Sequence, residues 1–189
     1  VVSTATAIVA LGYALLTNDF QIAHVASVSS TEMQARMKWA SLYSGQPGSL
    51  LFWTWSMSVF MAAFVLITVP KIPWGAPHAV GTLGVVIASF LVALVFFASP
   101  FRLSPVTPAD GTGLNPLLVD PGMLVHPPFL LTGLVSTAIP FGLGAAALLS
   151  GRLDQAWVHH ARGWALASFL VLSIGNFLGG WWAYTVLGW

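Results

Sequence analysis

From Ser49 to Val69 the chain reads Ser-Leu-Leu-Phe-Trp-Thr-Trp-Ser-Met-Ser-Val-Phe-Met-Ala-Ala-Phe-Val-Leu-Ile-Thr-Val, with no Asp, Glu, Lys or Arg anywhere in it. A run of about 20 uncharged, mostly apolar residues is what a helix needs to cross the hydrocarbon core of a bilayer. Four more such runs lie on either side, Val1 to Thr17, Ala79 to Ala98, Val125 to Leu149 and Gly163 to Leu187. The reading is an all-α, polytopic transmembrane helix bundle with five spans, at about 1–17, 49–69, 79–98, 125–149 and 163–187. The first run begins at Val1 without an initiator Met and the last stops at an aromatic cluster. We therefore expect residues 1–189 to be one integral-membrane domain, an internal fragment of a larger protein.

The composition of the whole chain agrees. Of 189 residues, 57% are hydrophobic and 6% charged, against roughly 25% charged in an ordinary soluble domain. The net charge is +1, so no basic field is available for a nucleic acid. There is no cysteine, which removes disulfides, thiolate metal sites and thiol catalysis from this chain. The spans contain no Asp, Glu, Lys or Arg, and pumps and ion-coupled transporters require such groups at membrane depth. The five His, at 24, 78, 126, 159 and 160, lie in loops or at span ends, so two facing mid-membrane haem ligands are not expected from this stretch alone.

Long and short connections alternate, as they must if the long ones share a side. The short ones carry Lys71, Arg152 and Arg162, and the much longer ones Arg36, Lys38 and Arg102. By the positive-inside rule the short connections are cytoplasmic and the long ones outer. Gly175, Gly179 and Ala183 recur every four residues in the last span, a small-residue stripe suited to close helix approach. Ser49, after the Ser44 to Gly48 turn, is a candidate helix cap.

The second long connection ends in Gly122-Met-Leu-Val-His126-Pro127-Pro128. Two prolines after a histidine are expected to start the fourth span and to hold the imidazole at its outer mouth. Such a His suits an axial iron ligand, and it equally suits a helix cap or a loop hydrogen bond. His24 is either a second ligand or a surface residue; His78, His159 and His160 read as solvated groups at the inner face. Trp181, Trp182, Tyr184 and Trp189 close the last span. They fit an interfacial aromatic belt, except that adjacent Trp181 and Trp182 diverge by about 100°, so at least one faces protein.

The stretch from Asp110 through Pro128 resembles the CcmF/NrfE family. So do Leu148 to Asp154, Arg162, Trp164, Gly179 to Trp189, and, in the first long connection, Asn18, Asp19, Phe20 and Gly45 to Trp53. These are haem lyase subunits of bacterial cytochrome c maturation, within a haem-handling group that includes CcsA and CcmC. The resemblance implies that haem b is bound on the outer face, with His126 as axial iron ligand and Trp181, Trp182, Tyr184 and Trp189 as the approach to a Trp-rich haem-binding segment. A second axial His and the ligands of an intramembrane haem would lie beyond this stretch. It further implies a haem chaperone, an apocytochrome c with Cys-x-x-Cys-His and other maturation subunits as partners, in a bacterial inner membrane. No residue here is assigned a catalytic role. Pro47 stands where the family usually has an acidic residue. A haem carrier without lyase activity and a structural scaffold are the alternatives.

Overall fold

Lipid offers the backbone no hydrogen-bond partner, so each apolar run must close its bonds within itself. In the computed structural model, which describes residues 1–188, they do so as helices. These are α1 (Val2–Thr17), α2 (Ala23–Val28), α3 (Ala35–Ser41), α4 (Gln46–Ile67), α5 (Ala76–Val92), α6 (Gly122–Ser136), α7 (Ala138–Ser150) and α8 (Gln155–Leu187). Extended backbone among the described residues pairs only at an isolated antiparallel bridge, Ile22 with Leu103. Four stretches are long and apolar enough to cross a membrane: Gln46–Lys71, Ala76–Phe97, Gly122–Ser150 and Gln155–Val186. The first run is apolar but forms a helix of 16 residues, shorter than those four.

The boundaries depart from the sequence reading in three places. Ser49 is not a cap, because α4 begins at Gln46 with Gly45 as its cap and Pro47 in its first turn, where a missing N–H has no helical acceptor to lose. The Ser49 hydroxyl instead donates to the Tyr43 carbonyl at 2.6 Å. The fourth run bends at Thr137 into α6 and α7, since Pro140 has no N–H to give the Ser136 carbonyl one turn back. The last helix starts at Gln155 and takes in His159, His160 and Arg162. Asp154 caps it, accepting from the Ala156 N–H at 2.9 Å. At about 1.5 Å per residue, its 33 residues reach well beyond a hydrocarbon core of roughly 30 Å, so its charged first turns can stand clear of lipid.

The two long connections lie together over one end of the bundle, as expected. The Ala23 N–H donates to the Arg102 carbonyl at 2.8 Å, Ser104 to Gln21 at 2.7 Å and Thr112 to Ala26 at 2.9 Å. Asp110 accepts from both the N–H and the hydroxyl of Thr31, at 2.9 and 2.7 Å. Beneath this layer Leu11, Leu15, Val25 and Leu51 are fully or almost fully buried. Toward the other end Phe64, Leu83, Ile139 and Leu143 form a second core between α4, α5 and α7.

The most extensive helix pairing joins α6 and α8. It is antiparallel and its register is set by glycines. A Cβ on Gly133 would stand 2.6 Å from the Leu172 backbone, one on Gly175 would stand 2.6 Å from the Leu130 nitrogen, and one on Gly179 would strike the His126 ring. Moving up α8 therefore moves down α6 in equal steps, and the small-residue stripe does the packing expected of it.

Candidate functional site

The loop end of α6 is built around Asp120, whose carboxylate accepts from the Gly122 N–H at 2.7 Å and closes the first turn. The helix thus begins before His126, and Pro127 and Pro128 fall inside it, not at its start. His126 leaves α6 on the side that faces α8. Its Nδ1 lies 2.8 Å from the Gly175 carbonyl oxygen. A carbonyl can only accept, so that contact assigns the proton to Nδ1 and the lone pair to Nε2. Among the described residues Nε2 has no hydrogen-bond partner.

The ring stacks on Trp182 with centroids 5.9 Å apart and planes 23° from parallel. Two glycines make the slot possible. At Gly179 a Cβ would stand 2.6 Å from His126 Nδ1 and 3.1 Å from Nε2, and at Gly122 one would stand 2.5 Å from Trp182 Cδ1. The Trp182 Nε1–H is buried without a partner among the described residues, an uncompensated donor of the kind that folded proteins rarely leave.

Of the aromatic residues named from the sequence, Trp182 is brought onto His126. Trp181 and Tyr184 are 50% and 69% exposed on α8, and Trp189 lies outside the described residues. The remaining histidines are elsewhere. His24 is buried against the start of α4, where a Cβ on Gly48 would stand 2.8 Å from its unpartnered Nε2. Burial pushes its pKa below the ordinary 6.5, against the carbonyls of Ser41 and Leu42. It is therefore a core histidine of the loop layer, neither exposed nor in the slot. His159 and His160 meet edge to face at 5.5 Å at the opposite end, beside Thr68 and Lys71, and His78 is exposed in the first turn of α5.

Sequence reading missed Tyr43. Its hydroxyl donates to the carbonyls of Met123 and Leu124 at 3.0 and 3.2 Å. Those are the carbonyls that residues 127 and 128 would bond in a regular helix, and both of those residues are proline. The paired prolines announced two orphaned acceptors; nothing local announced the donor. A cleft of about 460 Å³ between the long connections, floored by Met33, Met37, Leu114 and Leu124, was missed as well. Leu124 is two residues from His126, about 200° around the helix, so this cleft is separate from the imidazole slot.

The fold and the slot define a polytopic α-helical membrane protein that holds one oriented imidazole against an indole at the edge of its bundle. The comparisons narrow this class. The chain belongs to the cytochrome C assembly protein family, whose model matches residues 43–189. It is 35% identical over 188 residues to the cytochrome c-type biogenesis protein CcmF of Haemophilus influenzae, covering 99% of this chain and 29% of that protein. CcmF of Escherichia coli is 39% identical over 189 residues, covering 99% and 29%, and NrfE of Haemophilus influenzae is 36% identical over 188, covering 99% and 29%. The CcmF/NrfE resemblance is thus borne out over nearly the whole chain, which spans under a third of the length of these relatives. No solved structure matches it.

Proposed function

We propose that the protein serves cytochrome c maturation by binding haem b at His126, on the extracytoplasmic side of a bacterial inner membrane, and presenting it to apocytochrome c. The observation that carries this reading is the His126 tautomer: Nδ1–H is held by a backbone carbonyl, which orients the ring and leaves the Nε2 lone pair free for iron. The residues fit a flat, largely apolar ligand. Trp182 stacks on the imidazole and so holds its orientation, and it carries a buried Nε1–H that has no acceptor among the described residues. Trp181 and Tyr184 lie on other sides of α8 from Trp182, and their exposure suits contact with more of the protein or with partners; Trp189, assigned to the same aromatic approach, lies outside the described residues. A second axial ligand would come from outside this stretch.

The haem supplies two vinyl groups; each apocytochrome thiol adds across one of them, its S–H bond breaking as the S–C bond forms and its proton passing to the other vinyl carbon. This chain's share is position. His126 would hold the metal, Trp182 would hold the imidazole ring in its orientation, and, with no cysteine in this chain, the thiols would come from the Cys-x-x-Cys-His of the apocytochrome. A haem chaperone would deliver the haem, and other maturation subunits would complete the assembly.

The test is His126→Ala in the full-length protein. Maturation and the haem absorption band are expected to be lost and partly restored by added imidazole, whereas His159→Ala and His160→Ala leave both intact. Unimpaired maturation in His126→Ala would remove this reading. Bound haem with no covalent product from wild-type protein, chaperone and apocytochrome would make it a carrier.

A further inference from the structure

We infer that Tyr43 is a positioning residue for His126, its hydroxyl holding the one turn of α6 from which the imidazole reaches α8. The inference rests on the haem reading for its consequence and on hydrogen-bond geometry for itself. A helix that contains Pro127 and Pro128 gives up two N–H donors in succession, so the Met123 and Leu124 carbonyls lose their intrahelical partners. In lipid or in a dry interface such carbonyls are destabilising, and a turn lacking two rungs bends readily. The Tyr43 hydroxyl has one proton, and it sits 3.0 and 3.2 Å from those two oxygens, shared between them.

Tyr43 is itself anchored. Its carbonyl accepts from Ser49 at 2.6 Å, and its ring meets Phe52 edge-on at 5.7 Å. The first turns of α4 thereby fix the donor, and the donor fixes the first turn of α6. On the other side of that turn the Gly175 carbonyl holds His126 Nδ1. The turn is gripped from both sides, and His126 is the side chain between the grips. Burial pushes the Tyr43 hydroxyl up to about 12, so it stays a donor throughout the neutral range.

The experiment uses the full-length protein in lipid nanodiscs, with Tyr43→Phe made in the natural background and in Pro127→Ala/Pro128→Ala. Restored N–H groups in the second background would take over both carbonyls. In the natural background, Tyr43→Phe should speed hydrogen exchange at amides 123–126 by about two- to tenfold, the range set by one lost hydrogen bond. It should also shift the absorption and spin state of haem bound at His126. In the alanine background both effects should fall below detection. Equal effects in the two backgrounds, or unchanged exchange in the first, would overturn the assignment. Wild-type protein that takes up no haem would instead sink the haem reading, while the exchange comparison still decides the role of Tyr43.

Discussion

Gly179 lacks a side chain, and the His126 ring occupies the space one would fill. Replacing it with Ala would set a Cβ 2.6 Å from Nδ1, so the ring would have to leave the Gly175 carbonyl. The overpacking term is about 1–3 kcal/mol and the lost hydrogen bond about 1 kcal/mol. We expect Gly179→Ala to lower the thermal midpoint of the full-length protein and to abolish its haem absorption band. Gly180→Ala, where no heavy atom lies within 4 Å of the added group, should leave both unchanged or raise the midpoint slightly through helix propensity. Equal behaviour of the two variants would show that the close approach at Gly179 does not set the ring's place. At this scale the stretch from Gly122 to Pro128 marked the imidazole for attention but not how it is held: the prolines lie inside α6, and the ring is held by the Gly175 carbonyl of another helix. Tyr43 was not legible, because the prolines mark the orphaned carbonyls but not their donor, which comes from 80 residues away in the chain.

Among the elements, the loop layer and the transmembrane helices answer differently to acid. Thr31, through its hydroxyl and its N–H, holds Asp110 below the ordinary 3.8, with the Gly111 N–H adding to the effect. As the pH falls, the unfolded chain takes up this proton before the folded one does. The contact is therefore at full strength above the ordinary carboxylate range and is lost as the pH drops through the depressed value. His24 works in the same direction at a higher pH. Burial depresses its pKa, so below about 6.5 the unfolded chain binds a proton that the folded layer refuses, and stability falls until the folded-state value is passed. The protection of amides 18–45, meaning exchange corrected for its intrinsic pH dependence, should accordingly fall between neutral pH and pH 5, and His24→Phe should flatten that dependence. An unchanged pH profile in the variant would assign the effect to another group. Element existence was readable from uncharged runs, since a bilayer allows few other structures. Element ends were not. Charge at Arg162 and His159 suggested a connection, yet a helix continues wherever water can solvate its outer face, and Asp154 marked the true start through capping.

The whole molecule presents large apolar faces that nothing in these residues covers. Val85 on α5, Phe96 and Phe97 in the π-helical turn that follows it (Ala93–Phe97), and Phe169 and Phe177 on α8 are each 69% exposed or more. Lipid can cover such residues, and so can other helices, since the relatives run to more than three times this length. Produced alone in mild detergent, residues 1–189 should associate, read as a mass above one chain by light scattering; a monodisperse monomer would count against open packing faces. The bend at Thr137 has a mechanical meaning at this scale. On its loop side α6 leans on α8 and α4, and beyond the bend α7 leans chiefly on α5 and α8. With Pro140 unable to donate to Ser136, torque applied to α6 is poorly transmitted into α7. The joint divides the load along the run: the α6 half, which carries His126, and the α7 half rest on partly different neighbours, and no unbroken ladder of hydrogen bonds ties one to the other.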